Sequence, residues 1–143
     1  MIREGKSGIA VLNFGAHLLE VRDAAEILLQ SGIDITIADA RFAKPLDKEL
    51  ITNLAKNHSA LISIEEGAIG GFGSHVSNLL CESGLLDGKL KFRSMFMSDK
   101  FIDQGKPENM YKEAGLGVQD IVDKVMSLMG ISVVKFKKND LSA

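Results

Sequence analysis

Short apolar runs alternate with amphipathic stretches along most of the 143-residue chain. The first run, Ile9–Phe14, reads IAVLNF, and such continuous hydrophobicity is typical of a strand that is covered on both faces. In the stretch that follows, apolar residues recur at spacings of three and four, which predicts a helix with one apolar face that ends before Gly32. The residues that set this spacing are Leu18, Val21, Ala25 and Leu28.

The next unit repeats the order of strand and helix. Residues 33–38 alternate between isoleucine and smaller or polar side chains, which indicates a second strand. Asp47 is placed to accept a backbone N–H at the start of a helix that runs to about Asn57, and Leu46 and Ile51 have the spacing of a hydrophobic staple.

The rest of the chain continues the alternation. Residues 60–64 form an apolar run that is followed by a glycine-rich turn. The further predicted elements are a helix around residues 76–80, a strand over residues 90–97, a short helix from Pro107 and a final helix over residues 118–129, closed by Gly130.

Strands that alternate with helices predict crossover connections and a mainly parallel sheet with helices on both faces. We therefore predict a single three-layer α/β/α domain over residues 1–130. The tail, residues 131–143, contains VVKF at positions 133–136, which fits an edge strand, and ends in polar residues that are expected to fray. In such sheets ligands bind beyond the carboxyl ends of the strands, so function is expected there.

Composition excludes several classes of protein. Seventeen Lys and Arg against 19 Asp and Glu give a formal charge of -2, which is too balanced for an electrostatic binder of nucleic acid or of a membrane surface. The apolar runs are far shorter than the ~20 residues of a membrane-spanning helix. Cys81 is the only cysteine, which excludes an internal disulfide, suits a reducing compartment and is interpreted as a small buried apolar residue. We expect a cytoplasmic protein with no nucleic-acid or membrane partner.

Two glycine-containing segments have features of phosphate sites. Gly5-Lys6-Ser7 resembles the end of a phosphate-binding loop, but it precedes a strand and is interpreted as a flexible lead-in. Residues 67–74, GAIGGFGS, follow a strand and open a helix whose free N–H groups could hold an anion. The dinucleotide pattern would need glycine in place of Val76, so a tight chain reversal and close packing of the helix are favoured.

Other chemistry is weakly indicated. Glu65 and Glu66 could act as an acid and base pair, but neighbours on a strand point to opposite faces, so a structural or interface role is favoured. His17, His58 and His75 lack metal-ligand spacing, and we expect surface or capping roles for them. The residues therefore indicate no catalytic, cofactor-binding or metal-binding group.

Two segments together carry a family resemblance. Residues 39–47 read DARFAKPLD and residues 65–74 read EEGAIGGFGS. They closely resemble the C-terminal domain of 1-deoxy-D-xylulose-5-phosphate synthase, in the transketolase superfamily. The pair Arg41-Phe42 points to this synthase rather than to transketolase or the 2-oxoacid dehydrogenase beta subunits. The resemblance runs from about Arg3 to Leu128, includes the segment DKFIDQG at residues 99–105, and departs at Ser98, where the family commonly has proline.

The resemblance implies a full enzyme that joins pyruvate to glyceraldehyde 3-phosphate with thiamine diphosphate and Mg²⁺, releases carbon dioxide, and feeds isoprenoid, thiamine and pyridoxal synthesis. It places the cofactor site in the two preceding domains, so this domain is expected to bind no cofactor and to be inactive alone. Its implied role is packing against those domains within a cytoplasmic homodimer. The expected interdomain contacts are Arg41, Phe42, Lys44, Glu65, Glu66, Gly70, Gly71, Phe72, Gly73 and Ser74. The alternative is a stand-alone regulatory module that binds a phosphate or a nucleotide.

Overall fold

A computed structural model describes residues 1–67, 69–97 and 105–132 of the chain. The described part contains four strands and five helices in nearly strict alternation. In chain order these are β1 (Ile9–Phe14), α1 (Leu18–Gln30), β2 (Thr36–Asp39), α2 (Lys48–Asn57), β3 (Ala60–Glu65), α3 (Phe72–Glu82), β4 (Lys91–Met95), α4 (Pro107–Glu113) and α5 (Val118–Leu128).

The four strands form one sheet in the order β2-β1-β3-β4, and each neighbouring pair is parallel. Val11 of β1 lies opposite Ile37 of β2 on one side and opposite Ile62 of β3 on the other. The chain therefore moves outward from β1 in one direction to β2 and then crosses back to β3. This reversal makes the carboxyl ends of β1 and β3 the topological switch point of the sheet.

The sheet is covered on both faces, which confirms the predicted α/β/α domain. One hydrophobic cluster joins α1 and α5 to one face, through residues such as Val11, Leu28, Ile62 and Ile121. A second cluster joins α2 and α3 to the opposite face, through residues such as Leu12, Ile51, Leu61 and Leu80. Because β1 and β3 occupy the centre of the sheet, nearly every residue in them is buried, as their continuous apolar sequences predict.

The N-terminal segment is not the flexible lead-in that the sequence suggested. Arg3 forms an antiparallel bridge with Ile37, and its guanidinium lies 3.1 Å from Glu26 and 2.8 Å from Asp34. The amide of Gly5 donates to the Thr36 hydroxyl at 3.0 Å. The reason is that β2 ends the sheet and its outer edge would otherwise carry unpaired backbone groups.

Two local expectations also change. Cys81 is exposed rather than buried, because α3 turns Val76 and Leu80 toward the core and the next residue is rotated by about 100° from that face. The second strand begins at Thr36, later than the alternation indicated. The tail from residue 133 and most of the DKFIDQG segment lie outside the described residues, so the edge strand stays a prediction.

The start of α2 has the cap and the hydrophobic pair that its sequence predicts. The Asp47 carboxylate accepts the Leu50 amide at 3.0 Å, and Leu46 and Ile51 lie in the same hydrophobic cluster. We expect Asp47→Ala to lower the free energy of unfolding by about 1 kcal/mol, because an amide of the first turn loses its acceptor. Urea denaturation measures this change, and Asp47→Asn, which keeps a capping oxygen, is the control. Equal losses in the two variants would contradict the capping role.

None of the helices in the described ranges combines the length and the apolar character needed to cross a bilayer.

Candidate functional site

The candidate site lies at the carboxyl ends of β1 and β3, the switch point of the sheet. Glu65 ends β3 and Glu66 follows it, while His17 directly precedes α1. Tyr111 of α4 reaches the same place from a distant part of the chain, since its hydroxyl and ring contact Glu66 and His17 respectively. Parallel sheets bring such strand ends to one edge, which is where their ligands usually bind.

Glu65 is a buried carboxylate, 3% exposed, that caps α3. It accepts the Phe72 amide at 2.9 Å and also accepts the amide of Gly73. Gly71, at the N-cap position, offers no side chain for this purpose. Glu65 therefore satisfies two of the amides that a helix leaves free at its start, and its negative charge suits the positive end of the helix dipole.

The glycine-rich turn allows α3 to lie very close to the sheet. A Cβ atom on Gly73 would stand 2.9 Å from the Cβ of Ser94 and 3.0 Å from the Ser63 hydroxyl. The ring of Phe72 stacks on that of Phe14, with centroids 4.7 Å apart. The turn thus serves close packing between helix and strand, the interpretation favoured by its sequence.

This geometry argues against the alternative of a phosphate-binding module. The Phe72 and Gly73 amides, which would hold an anion at this helix start, already bind a buried carboxylate. A phosphate in the same place would meet the like charge of Glu65. The Gly70 amide, a further donor in the turn, is directed to the Ser74 hydroxyl at 3.0 Å.

The described residues can also be compared with what thiamine diphosphate and Mg²⁺ require, since the family resemblance implies both for the full enzyme. Within residues 1–67, 69–97 and 105–132, no group of three or more His, Cys, Asp or Glu could hold a metal ion. Glu65 fills the one helix start that resembled a diphosphate cradle. The described residues therefore supply no such cluster for the metal, and the start of α3 does not fit the diphosphate.

Glu66, in contrast to Glu65, is exposed and lies on the opposite face, as the alternation of strand side chains predicts. Its carboxylate accepts the hydroxyl proton of Tyr111. This hydrogen bond is the main cause that raises the pKa of Tyr111 to about 12, with burial as a smaller cause. The contact fastens α4 to the end of β3.

His17 was expected at the surface or as a cap, and this expectation is wrong. The residue is 0% exposed, its side chain caps nothing in α1, and its ring lies 4.3 Å from the ring of Tyr111, centroid to centroid. Burial lowers the pKa of His17, while the charges of Glu20 and Glu66 oppose that shift. The reason is that α4, which comes much later in the chain, covers the turn after β1.

The other two histidines agree better with the sequence. His58 occupies the C-cap position of α2, where its Nδ1 lies 2.8 Å from the Leu54 carbonyl and its Nε2 lies 2.9 Å from the Thr36 hydroxyl. His75 is half-buried in the first turn of α3.

Sequence reasoning missed two polar residues at this edge besides His17. Asn13 is fully buried, and its amide donates to the Gly15 carbonyl and to the Asp39 carboxylate, each at 3.0 Å. Tyr111 comes from α4, whose sequence contains no motif that would have indicated a functional residue. For Asn13, the one available signal was a lone polar residue near the end of an apolar strand.

The residues expected to contact other domains fall into two groups. Glu65, Phe72 and Gly73 are buried inside this domain, and Gly71 is half-buried. The others are exposed at the carboxyl edge: Arg41, Phe42, Lys44, Glu66, Gly70 and Ser74. Three large apolar side chains also face solvent here, since Leu19 is 65%, Phe42 67% and Ile69 70% exposed. Their contact with another domain stays a prediction.

Comparison with known proteins places this geometry in a family. The family model described as "Transketolase, C-terminal domain" matches residues 1–121. A solved structure described as a split gene transketolase, inactive beta4 tetramer, is 27% identical with a TM-score of 0.77, over 90% of this chain and 41% of that chain.

Two structures from Pichia stipitis share the fold. A transketolase mutant is 13% identical with a TM-score of 0.63, over 90% of this chain and 17% of that one. Transketolase in complex with sedoheptulose 7-phosphate is 14% identical with a TM-score of 0.61, over 91% of this chain and 18% of that one. The chain thus spans less than half the length of the structures it matches. Because the family model covers well over half of it, the chain belongs to the transketolase C-terminal domain family.

Proposed function

We propose that this chain is the C-terminal domain of a thiamine diphosphate-dependent transferase, namely 1-deoxy-D-xylulose-5-phosphate synthase. In that enzyme it would pack against the N-terminal and central domains of a cytoplasmic homodimer and carry no catalytic group. Membership of the family supports the general assignment. The Arg41-Phe42 pair within DARFAKPLD supports the synthase.

The observation that carries the packing role is the apolar carboxyl edge. Leu19 lies in the first turn of α1, and Phe42 and Ile69 lie in the connections after β2 and β3, and each is about two-thirds exposed. Large apolar side chains gathered at one edge are typical of a surface that another protein segment covers. The chain also spans only 17–41% of the matched structures, which leaves room for further domains to supply that cover.

The acidic pair fits an architectural role better than a catalytic one. Glu65 is engaged by two backbone amides inside the domain, and Glu66 by the Tyr111 hydroxyl. A general acid or base must reach a substrate proton, and Glu65 is buried while serving as a cap. The proposal therefore assigns the chemistry of the enzyme to the other domains.

A domain exchange tests the proposal. The C-terminal domain of a 1-deoxy-D-xylulose-5-phosphate synthase is replaced by this chain, and the corresponding domain of a transketolase is replaced in parallel. We expect the first chimera to form product from pyruvate and glyceraldehyde 3-phosphate and the second to lose two-carbon transfer from xylulose 5-phosphate. Activity in the transketolase chimera alone would overturn the synthase assignment.

A point variant of the active chimera tests whether the domain docks through its carboxyl edge. Phe42→Ser should lower product formation at limiting enzyme concentration by about tenfold or more, because the proposed interdomain contact loses the aromatic side chain that it would bury. Leu29→Ser is the matched control. Leu29 is an exposed apolar residue at the other end of α1, away from the carboxyl edge. Equal effects of the two substitutions would contradict docking through this edge.

A further inference from the structure

His17 presents an unusual combination of burial and missing partners. Its side chain is completely buried, and neither Nδ1 nor Nε2 has a hydrogen-bond partner among the described residues. Buried polar groups in native proteins are nearly always paired, so an exception calls for an explanation. The surroundings of the ring supply one.

Three elements meet at this imidazole, and each contributes an ionisable group. Glu20 of α1 has a buried carboxylate oxygen without a partner among the described residues. Glu66 follows β3, and the ring of Tyr111 of α4 lies against the imidazole at a tilt of 43° while its hydroxyl donates its proton to Glu66. These are the charged and titratable groups that act on His17 within the described part of the chain.

Helix α4 depends on these contacts. It has seven residues, too few for a helix to be stable by itself in water, so its position must come from tertiary packing. Tyr111 supplies both a ring contact with His17 and a hydrogen bond to Glu66. Loss of the Tyr111 contacts would therefore weaken the attachment of α4 to the carboxyl edge of the sheet.

We propose that His17, Glu66 and Tyr111 form a latch that holds α4 closed while His17 is neutral and releases it when His17 takes up a proton. A neutral imidazole is tolerated in this buried position. An imidazolium in the same place must be hydrated or paired with a carboxylate. The carboxylate of Glu66 would then be drawn to His17 and away from the Tyr111 hydroxyl.

The direction of the pH dependence follows from the burial of the ring. Burial lowers the pKa of His17 below its ordinary 6.5 in the closed latch, so the open state binds the proton more tightly. The latch has its full stability above pH 6.5 and loses stability as the pH falls below that value. The loss of stability is complete once the pH lies below the lowered pKa of His17 in the closed state. This inference concerns the domain itself and does not depend on the proposed function.

The chain carries its own probe for the test. Tyr111 is the only tyrosine and the chain has no tryptophan, so tyrosine fluorescence of the intact protein reports on the latch alone. Hydrogen exchange of the α4 amides, corrected for intrinsic rates, measures release. We expect a fluorescence transition with a midpoint below 6.5, and opening of α4 that increases by up to about tenfold per pH unit across it.

Two variants separate the latch from general packing. His17→Phe keeps a ring against Tyr111 but cannot be protonated, so both the fluorescence transition and the pH-dependent exchange should disappear. Should this variant fail to fold, Glu20→Gln provides the test. It removes a charge that favours the imidazolium, so the midpoint should move to lower pH.

His75→Gln is the control and should leave the transition unchanged, because His75 belongs to α3 and lies outside the latch. A transition that persists in His17→Phe, or that moves to higher pH in Glu20→Gln, would overturn the proposal. So would a wild-type protein in which fluorescence titrates while the exchange of α4 stays constant, since protonation would then occur without release.

Discussion

Glu65→Ala is expected to lower the free energy of unfolding by about 3 kcal/mol, because two hydrogen bonds from backbone amides to a charged group are lost. The amides of Phe72 and Gly73 are left in a buried position without an acceptor. The positive end of the α3 dipole also loses its compensating charge. Urea denaturation at neutral pH, with the slope checked for two-state behaviour, measures the change.

The neighbouring residue is the control for this prediction. Glu66→Ala removes the same side chain from an exposed position, where it accepts one hydroxyl proton. We expect a loss of about 1 kcal/mol or less. Glu65→Gln should fall between the two, because one amide oxygen can still accept a backbone proton. Similar losses for Glu65→Ala and Glu66→Ala would show that the cap contributes nothing specific.

Gly5→Ala is expected to lower the free energy of unfolding by about 2 kcal/mol, the second large effect. The cause is the close approach of two backbone segments at this residue. The added Cβ would lie 2.3 Å from the Asp34 carbonyl oxygen and 2.3 Å from the Ile35 carbonyl carbon. Both are backbone atoms that lead into β2, so they cannot move aside as a flexible side chain would. We expect residues 2–5 to detach from β2, the outer strand of the sheet.

Hydrogen exchange identifies this mechanism. The Ile37 amide donates to the Arg3 carbonyl at 2.8 Å, so its exchange should become faster in Gly5→Ala. Gly88→Ala is the matched control, because a Cβ at Gly88 meets no atom within 4 Å. Unchanged protection of Ile37 would contradict the proposed detachment.

Local patterns in the sequence determined the order of the elements and much of the core. The run at residues 9–14 predicts a strand covered on both faces and the run at residues 60–64 predicts a further apolar strand, and they form the two central strands. This succeeds because a central parallel strand must be apolar on both sides. The Asp47 cap depends on a backbone amide three residues away, and the opposite placement of Glu65 and Glu66 depends on strand alternation. All of these are properties of neighbouring residues.

Only the tertiary structure decided which groups the polar side chains at the carboxyl ends of the strands contact. Glu65 meets the start of α3, and His17 meets Tyr111, because the packing of helices brings distant parts of the chain together. The burial of His17 depends on α4, and the exposure of Cys81 depends on which face of α3 lies against the sheet. Periodicity shows that a helix has a buried face, but the partner of that face, and with it the environment of each polar group, is determined by contacts between residues far apart in sequence.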